Sequence, residues 1–200
     1  MINIIQHIYP NELGTKIANE QSNRIKFTIK EPYNLIQSVV DVEFGTELDT
    51  YKKLLNEWVD GFNDNDLILF IHTKGATRNN KIKREWREYL ERELIDNYQY
   101  HTTVLNRGFD TSGVLMGIPH WSEGFYPGNF WWANAKFIKR INKNIIDTFP
   151  SRWHAELNFL SSIKDWNPHS NPFLNFDKTK NFYYYIKNQD LLKEKYIRIF

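Results

Sequence analysis

Just behind a continuous apolar run, the segment HTKGATR (72–78) brings His72, Thr73, Lys74, Gly75 and Arg78 together within seven residues. Such a set can cradle a diphosphate, because Gly75 permits close backbone approach while Thr73, Lys74 and Arg78 supply donors and positive charge. A basic surface turn would carry the same residues, and the phosphate-loop pattern GxxxxGK[ST] is absent. Asp64 and Asp66 form D-x-D, a spacing that can hold a divalent cation on a diphosphate. They precede the apolar run rather than follow it, which reads as a solvated turn. Asp110, in GFDTSG, also reads as a turn residue. His120, His154 and Glu156 fall in the later half without the H-x3-H or HExxH spacing of a zinc site. Glu156 is followed at helical intervals by Phe159, Leu160 and Ile163, which puts it at the inner edge of a helix. There a carboxylate either pairs with Arg152, one turn earlier, or stays free for proton transfer.

A second segment, GNFWWANAKF (128–137), sets Phe130, Trp131 and Trp132 consecutively behind a glycine. Gly128 leaves room for a ligand or a neighbouring backbone, and Asn129 can both donate and accept to hydroxyl groups. Strand alternation sends Phe130 and Trp132 to one side and Trp131 to the other. The expectation is that one side enters the core and the other walls a ligand site, with Trp131 as the ligand-facing ring.

The elements that must position these residues follow from apolar periodicity. INIIQHIY (2–9) and IKFTI (25–29) read as strands, with room for a short helix between them. Leu48, Tyr51, Leu54, Leu55, Trp58 and Val59 predict an amphipathic helix from Glu47, with Thr46 as N-cap and Gly61 ending the run. LILFIH (67–72) has the pattern of a strand buried on both faces. Trp86, Tyr89, Leu90, Leu94 and Tyr98 mark another helix, and GVLMG (113–117) another buried strand. ANAKFIKRI (133–141) and SRWHAELNFLSSI (151–163) read as helices. Helices alternating with buried strands predict an α/β sheet of the doubly wound type, in which ligands bind beyond the carboxyl ends of the strands. HTKGATR lies at such an end. The chain reads as one domain over 1–200, with 165–200 as a carboxyl-terminal extension.

Composition narrows the classes. The 200 residues include no cysteine, which excludes disulfide frameworks, thiolate zinc sites and cysteine nucleophiles. A formal net charge of +2 argues against a phosphate-backbone binder, although the 16% aromatic content would suit base stacking. With no basic leader and no apolar run of about 18 residues, the expectation is a soluble, cytoplasmic protein without a membrane span.

In their order along the chain, HIYP, GTELDTYKKLLNEW, ILFIHTKGAT, WREYL, GNFWWANAKFI and RWHAE resemble a family of small GT-A-like glycosyltransferases from bacteria and large DNA viruses, the amino-terminal domain of a chlorella-virus glycosyltransferase among them. The similarity covers about residues 1–163, and HTKG with GNFWWA at this separation is its most specific part. The resemblance implies a GT-A-like, Rossmann-related fold with a mixed, mostly parallel sheet flanked by helices. It also implies transfer of a sugar from a nucleotide-diphosphate donor, a UDP-sugar favoured, to a glycan or other hydroxyl acceptor. Viral or bacterial glycan synthesis is the implied setting, and a virus-infected host cell one implied location. His7, Tyr9 and Glu47 would then border the nucleotide, with His72, Thr73, Lys74, Gly75 and Arg78 beside the diphosphate. Gly128, Asn129, Trp131, Trp132 and His154 would border sugar and acceptor, and Glu156 would be the catalytic base. One departure stands out: where such enzymes commonly carry D-x-D, this chain has His72, Thr73 and Lys74. The departure leaves two alternatives: Lys74 in place of Mn or Mg, or a metal held by other oxygens with Asp110 as candidate. A non-catalytic carbohydrate- or nucleotide-sugar-binding module is the competing reading.

Overall fold

The computed structural model of the chain describes residues 1–39, 46–77, 80–114, 125–149 and 158–170. Its element order is β1 (Ile2–Ile8), α1 (Glu12–Thr28), β2 (Tyr33–Val39), α2 (Glu47–Lys53), β3 (Leu67–His72), α3 (Lys81–Glu91), α4 (Tyr98–Asn106), β4 (Thr111–Gly113), β5 (Trp131–Asn134), α5 (Ala135–Ile138) and β6 (Pro168–Ser170). The strands form one six-stranded sheet in the order β2-β1-β3-β5-β4-β6. Pairs β1–β2, β1–β3 and β4–β6 are parallel, whereas β5 runs antiparallel to both β3 and β4. The architecture is α/β, a single domain with a mixed sheet flanked by helices, as the alternating pattern predicts.

Strand alternation divides the core in two. Ile2, Ile4, Leu67, Leu69, Ile71, Phe130 and Trp132 face one way, against Ile25 of α1, Trp86 and Leu90 of α3, and Leu105 of α4. Ile5, Ile68, Phe70, Trp131 and Ala133 face the other way, against Tyr51 of α2, Leu54 and Leu55 just behind it, and Phe137 and Ile138 of α5. Since α1 and α2 lie on opposite faces, β1 passes to β2 on one side and β3 returns to its other side. That reversal is a topological switch point, where open α/β sheets offer a binding crevice beyond the strands' carboxyl ends.

Several helix signals hold as read. Thr46 caps α2 in a capping box, its side chain and that of Asp49 each bonding the other's backbone N–H. The helical run continues as a π-helical turn over Leu54–Trp58 and a 3₁₀ turn ending at Gly61. Elsewhere the structure corrects the sequence reading. IKFTI is not a strand: α1 continues through Thr28, and Ile25 and Ile29, four apart, are both buried while Phe27 is exposed. The apparent period of two there was the end of a helical stripe through Ile17, Ala18, Gln21 and Ile25. The second strand lies later, at Tyr33–Val39. β4 shares only Gly113 with the expected GVLMG strand, whose residues 115–117 lie outside the described residues. The helix expected over 133–141 is cut short because Ala133 and Asn134 finish β5, which pairs with β3. Of the helix expected over 151–163, residues 151–157 lie outside the described residues, and Leu160–Ser162 forms a 3₁₀ turn. No helix among the described residues is long and apolar enough to cross a membrane.

Candidate functional site

The crevice is bordered by the last turns of β1 and β3, whose residues His7 and His72 are register partners. Both side chains leave the sheet on the α2 face, and their rings lie 6.5 Å apart. His7 Nδ1 is 2.7 Å from the Thr50 hydroxyl oxygen, and that hydroxyl donates to Ser38 Oγ at 2.9 Å. Burial pulls the His7 imidazole below its ordinary value, against the carboxylates of Glu47 and Asp49. His72 bridges two elements: Nε2 donates to the Gly128 carbonyl at 2.8 Å, and Nδ1 lies 3.3 Å from Glu47 Oε1 at the head of α2. Burial pulls His72 down to about 4, against the attraction of Glu47, so the imidazole is neutral at neutral pH.

The HTKG segment turns sharply on leaving β3. The Ala76 amide donates to the Thr73 carbonyl at 3.1 Å, and Gly75, at the third position of that turn, has φ +91°. A positive φ at this one position is the type II pattern, which favours glycine. The turn is fastened from both sides. Thr73 N donates to the His7 carbonyl at 3.0 Å, and Tyr9 N donates to Thr73 Oγ1 at 2.8 Å. Asn11, which caps α1 through Gly14 N, donates its Nδ2 to the Ala76 carbonyl at 3.0 Å. Arg87 of α3 donates to the Lys74 carbonyl at 3.4 Å. Thr73 is buried in this fastening, so its hydroxyl serves the scaffold. Lys74 is half-buried, its charge acts on both Glu47 and His72, and its ammonium has no ion pair among the described residues.

Beneath the crevice, on the α1 face, lies a polar group that the sequence reading missed. Gln21 of α1 donates to the His72 carbonyl at 3.1 Å and to Glu91 Oε1 at 2.8 Å, while accepting from Gln6 at 2.9 Å. Arg87 and Arg24 each approach Glu91, at 3.3 and 3.4 Å. Burial nevertheless raises the Glu91 carboxyl above its ordinary value. The available signal was a glutamine in the apolar stripe of α1, at the helical spacing of Ile17, Ala18 and Ile25.

Phe130, Trp131 and Trp132 do alternate as expected, but both sides are core. Trp131 is 1% exposed, stacked on Phe70 at 5.1 Å, and its Nε1 donates to the Tyr51 hydroxyl at 3.1 Å. Trp132 is fully buried, with Nε1 donating to the Leu94 carbonyl at 2.9 Å. The expectation that Trp131 faces a ligand is therefore corrected. A tryptophan burying roughly 200 Å² gains on the order of 5 kcal/mol at about 25 cal/mol per Å² before entropic costs, and the two indole N–H groups have protein partners. GNFWW instead builds the wall of the crevice. Tyr126-Pro127-Gly128-Asn129 is a turn closed by Asn129 N to the Tyr126 carbonyl at 3.0 Å, with Gly128 at φ +89°. Proline then glycine at its centre is the type II signature. Asn129 is itself left-handed, at φ 57°, and its Oδ1 accepts from Tyr51 and from Trp131 Nε1.

The acidic candidates separate. Asp64 is exposed and pairs with Lys139 at 2.8 Å, as a solvated turn residue would. Asp66 is not solvated: it is buried and accepts from the Met1 ammonium at 3.0 Å and from Asn63 N at 2.9 Å. Asp110 accepts from Asn167 N at 2.8 Å and lies 4.0 Å from Arg140, tying β4 to the chain ahead of β6. Among the described residues no three histidine or acidic side chains are grouped so as to hold a metal ion. Arg78, His120, Arg152, His154 and Glu156 lie outside the described residues.

The site thus joins His7, Glu47, His72 and Lys74, which the resemblance assigns to the nucleotide diphosphate, with Gly128, which it assigns to sugar and acceptor. No match to the chain was found among curated proteins. Residues 2–168, which include every part of this crevice, match the family described as Domain of unknown function (DUF8361), and the chain belongs to that family.

Proposed function

We propose that the protein is a nucleotide-sugar-dependent glycosyltransferase that moves a sugar, a UDP-sugar being the favoured donor, to a hydroxyl acceptor on a glycan. The observation that carries this reading is the meeting of His7, His72, Glu47 and Lys74 at the β1–β3 switch point, where open α/β sheets bind nucleotides. The resemblance of HTKG and GNFWWA to small GT-A-like enzymes supports the same assignment. Lys74, without an ion pair among the described residues, is the group to neutralise the leaving diphosphate. Glu156 is the base that takes the acceptor hydroxyl's proton as its oxygen attacks the anomeric carbon and the diphosphate departs. A single displacement of this kind inverts the anomeric centre.

Thermal melts with UDP, GDP, CDP and dTDP and their sugars, each with and without manganese, test the assignment. A Tm rise confined to one nucleotide family is expected, and it should be lost in Lys74→Ala while the unliganded Tm stays within about a degree of wild type. Stabilisation that needs manganese would move the diphosphate from Lys74 to a cation. Glu156→Gln should retain donor stabilisation and lose transfer to acceptor. Donor binding without turnover in the unaltered chain would favour the binding-module reading.

A further inference from the structure

The hydroxyl relay behind His7 fixes which of its ring nitrogens carries the proton. Thr50 has one hydroxyl hydrogen, and it goes to Ser38 Oγ at 2.9 Å. The 2.7 Å contact between Thr50 Oγ1 and His7 Nδ1 must then use a hydrogen on the imidazole. The neutral ring consequently carries its proton on Nδ1 and a lone pair on Nε2. That nitrogen has no hydrogen bond among the described residues, although His7 is only 3% exposed. Beside it stands the half-buried Glu47 carboxylate, whose side chain is 26% exposed and whose Oε1 turns toward His72. Neither His7 Nε2 nor an ionised Glu47 can donate. The acceptors at this corner are thus His7 Nε2 and Glu47; Asp49 and the Lys53 cation also act on His7, and the Lys74 cation acts on Glu47 and His72.

We propose that His7 Nε2, together with Glu47, is a specificity-determining acceptor pair that selects a hydrogen-bond donor on the ligand. Thr50 and Ser38 act as positioning residues that hold the tautomer. The proposal rests on the nucleotide-sugar reading, under which the selected donor is either the imide N–H of uracil or a ribose hydroxyl. Both present an N–H or O–H to the lone pair, and they can be told apart: cytosine has an acceptor where uracil has the imide N–H, and a 2′-deoxyribose lacks one hydroxyl.

The test has two independent parts, both on the full chain. First, ring nitrogen NMR on histidine-labelled protein near pH 7.5 reads the tautomer directly, the His7 signals being those lost in His7→Phe. Protonated Nδ1 with bare Nε2 is expected, and Thr50→Val should abolish that fixed state. A His7 ring protonated on Nε2 in the unaltered protein overturns the proposal. Second, calorimetric titration compares UDP, CDP and 2′-deoxy-UDP. Thr50→Val and His7→Phe should each weaken UDP binding by roughly tenfold, the loss of one buried hydrogen bond. If the imide is selected, the preference for UDP over CDP collapses in both variants; if the ribose hydroxyl is selected, the preference over 2′-deoxy-UDP collapses instead. Unchanged affinities and preferences in folded Thr50→Val overturn the proposal. Failure of the unaltered protein to bind any of the three overturns the nucleotide reading and the ligand assignment with it, while the ring spectrum still decides the tautomer separately.

Discussion

At the scale of single residues, the side chains that matter most to the crevice are those that connect rather than those that carry charge. Tyr51 illustrates this: its hydroxyl donates to Asn129 Oδ1 and accepts from Trp131 Nε1, and its ring stacks on Phe159 at 3.9 Å. Tyr51→Phe removes only the oxygen, leaving Trp131 to share Asn129 Oδ1 at 3.3 Å. The expected cost is about 1 kcal/mol, near the lower end for a buried hydrogen bond because one partner remains, and a urea titration would read it. This connection could not be found from the sequence. Tyr51 was legible as the inward face of a helix and Asn129 as a polar residue beside aromatics, but their meeting spans 78 positions. His7 and His72 were each visible as the ends of apolar runs. What spacing could not give was their register across β1 and β3, which places both rings on one face.

Among the elements, the tight turns set the geometry. Gly128 combines φ +89° with a close approach to α3: an added Cβ would lie 2.7 Å from Leu90 Cδ1 and 2.8 Å from Trp86 Nε1. Gly128→Ala should therefore cost about 1–3 kcal/mol from backbone strain alone, with the clash in addition. Because the same residue's carbonyl receives His72 Nε2, the variant should also weaken ligand-induced stabilisation beyond the fall in unliganded Tm. Proline followed by glycine is the sequence signature of this turn. α2 and β3 were legible nearly to the residue, since a capping threonine and an unbroken apolar run leave few alternatives. α1 was not, because Gln21 interrupts its apolar stripe with a side chain that is polar yet buried. The end of β5 was hidden for a different reason: both its faces are core, so no alternation of polar and apolar residues marked where the strand gave way to α5.

For the molecule as a whole, buried neutral histidines make stability depend on pH. His72 and His101 are both pulled down to about 4 by burial, and His101 sits between Ser112 Oγ at 2.8 Å and the Glu93 carbonyl at 3.1 Å. In the unfolded chain a histidine protonates near 6.5. Between about 6.5 and about 4 the unfolded state then binds more protons than the folded one, so stability rises with pH through that window and falls on acidification. The loss reaches on the order of 3 kcal/mol for each histidine at the acid end. Urea midpoints at pH 7 and pH 4.5 should differ accordingly. In His101→Gln the difference should shrink, even though the variant is less stable at pH 7. An equal acid loss in that variant would mean that His101 is not neutral in the fold.

The antiparallel insertion of β5 also bears on the order in which the protein can be assembled. β1, β2 and β3 are complete by residue 72, but the second edge of β3 is satisfied only by residues 131–134. While a ribosome is still making the intervening stretch, the most apolar strand of the sheet has one ladder of backbone groups open to any passing strand. Open edges of this kind invite pairing between chains. The aromatic triplet that looked like a binding surface is thus the piece that closes the nascent sheet, and a fragment ending before it would be prone to self-association.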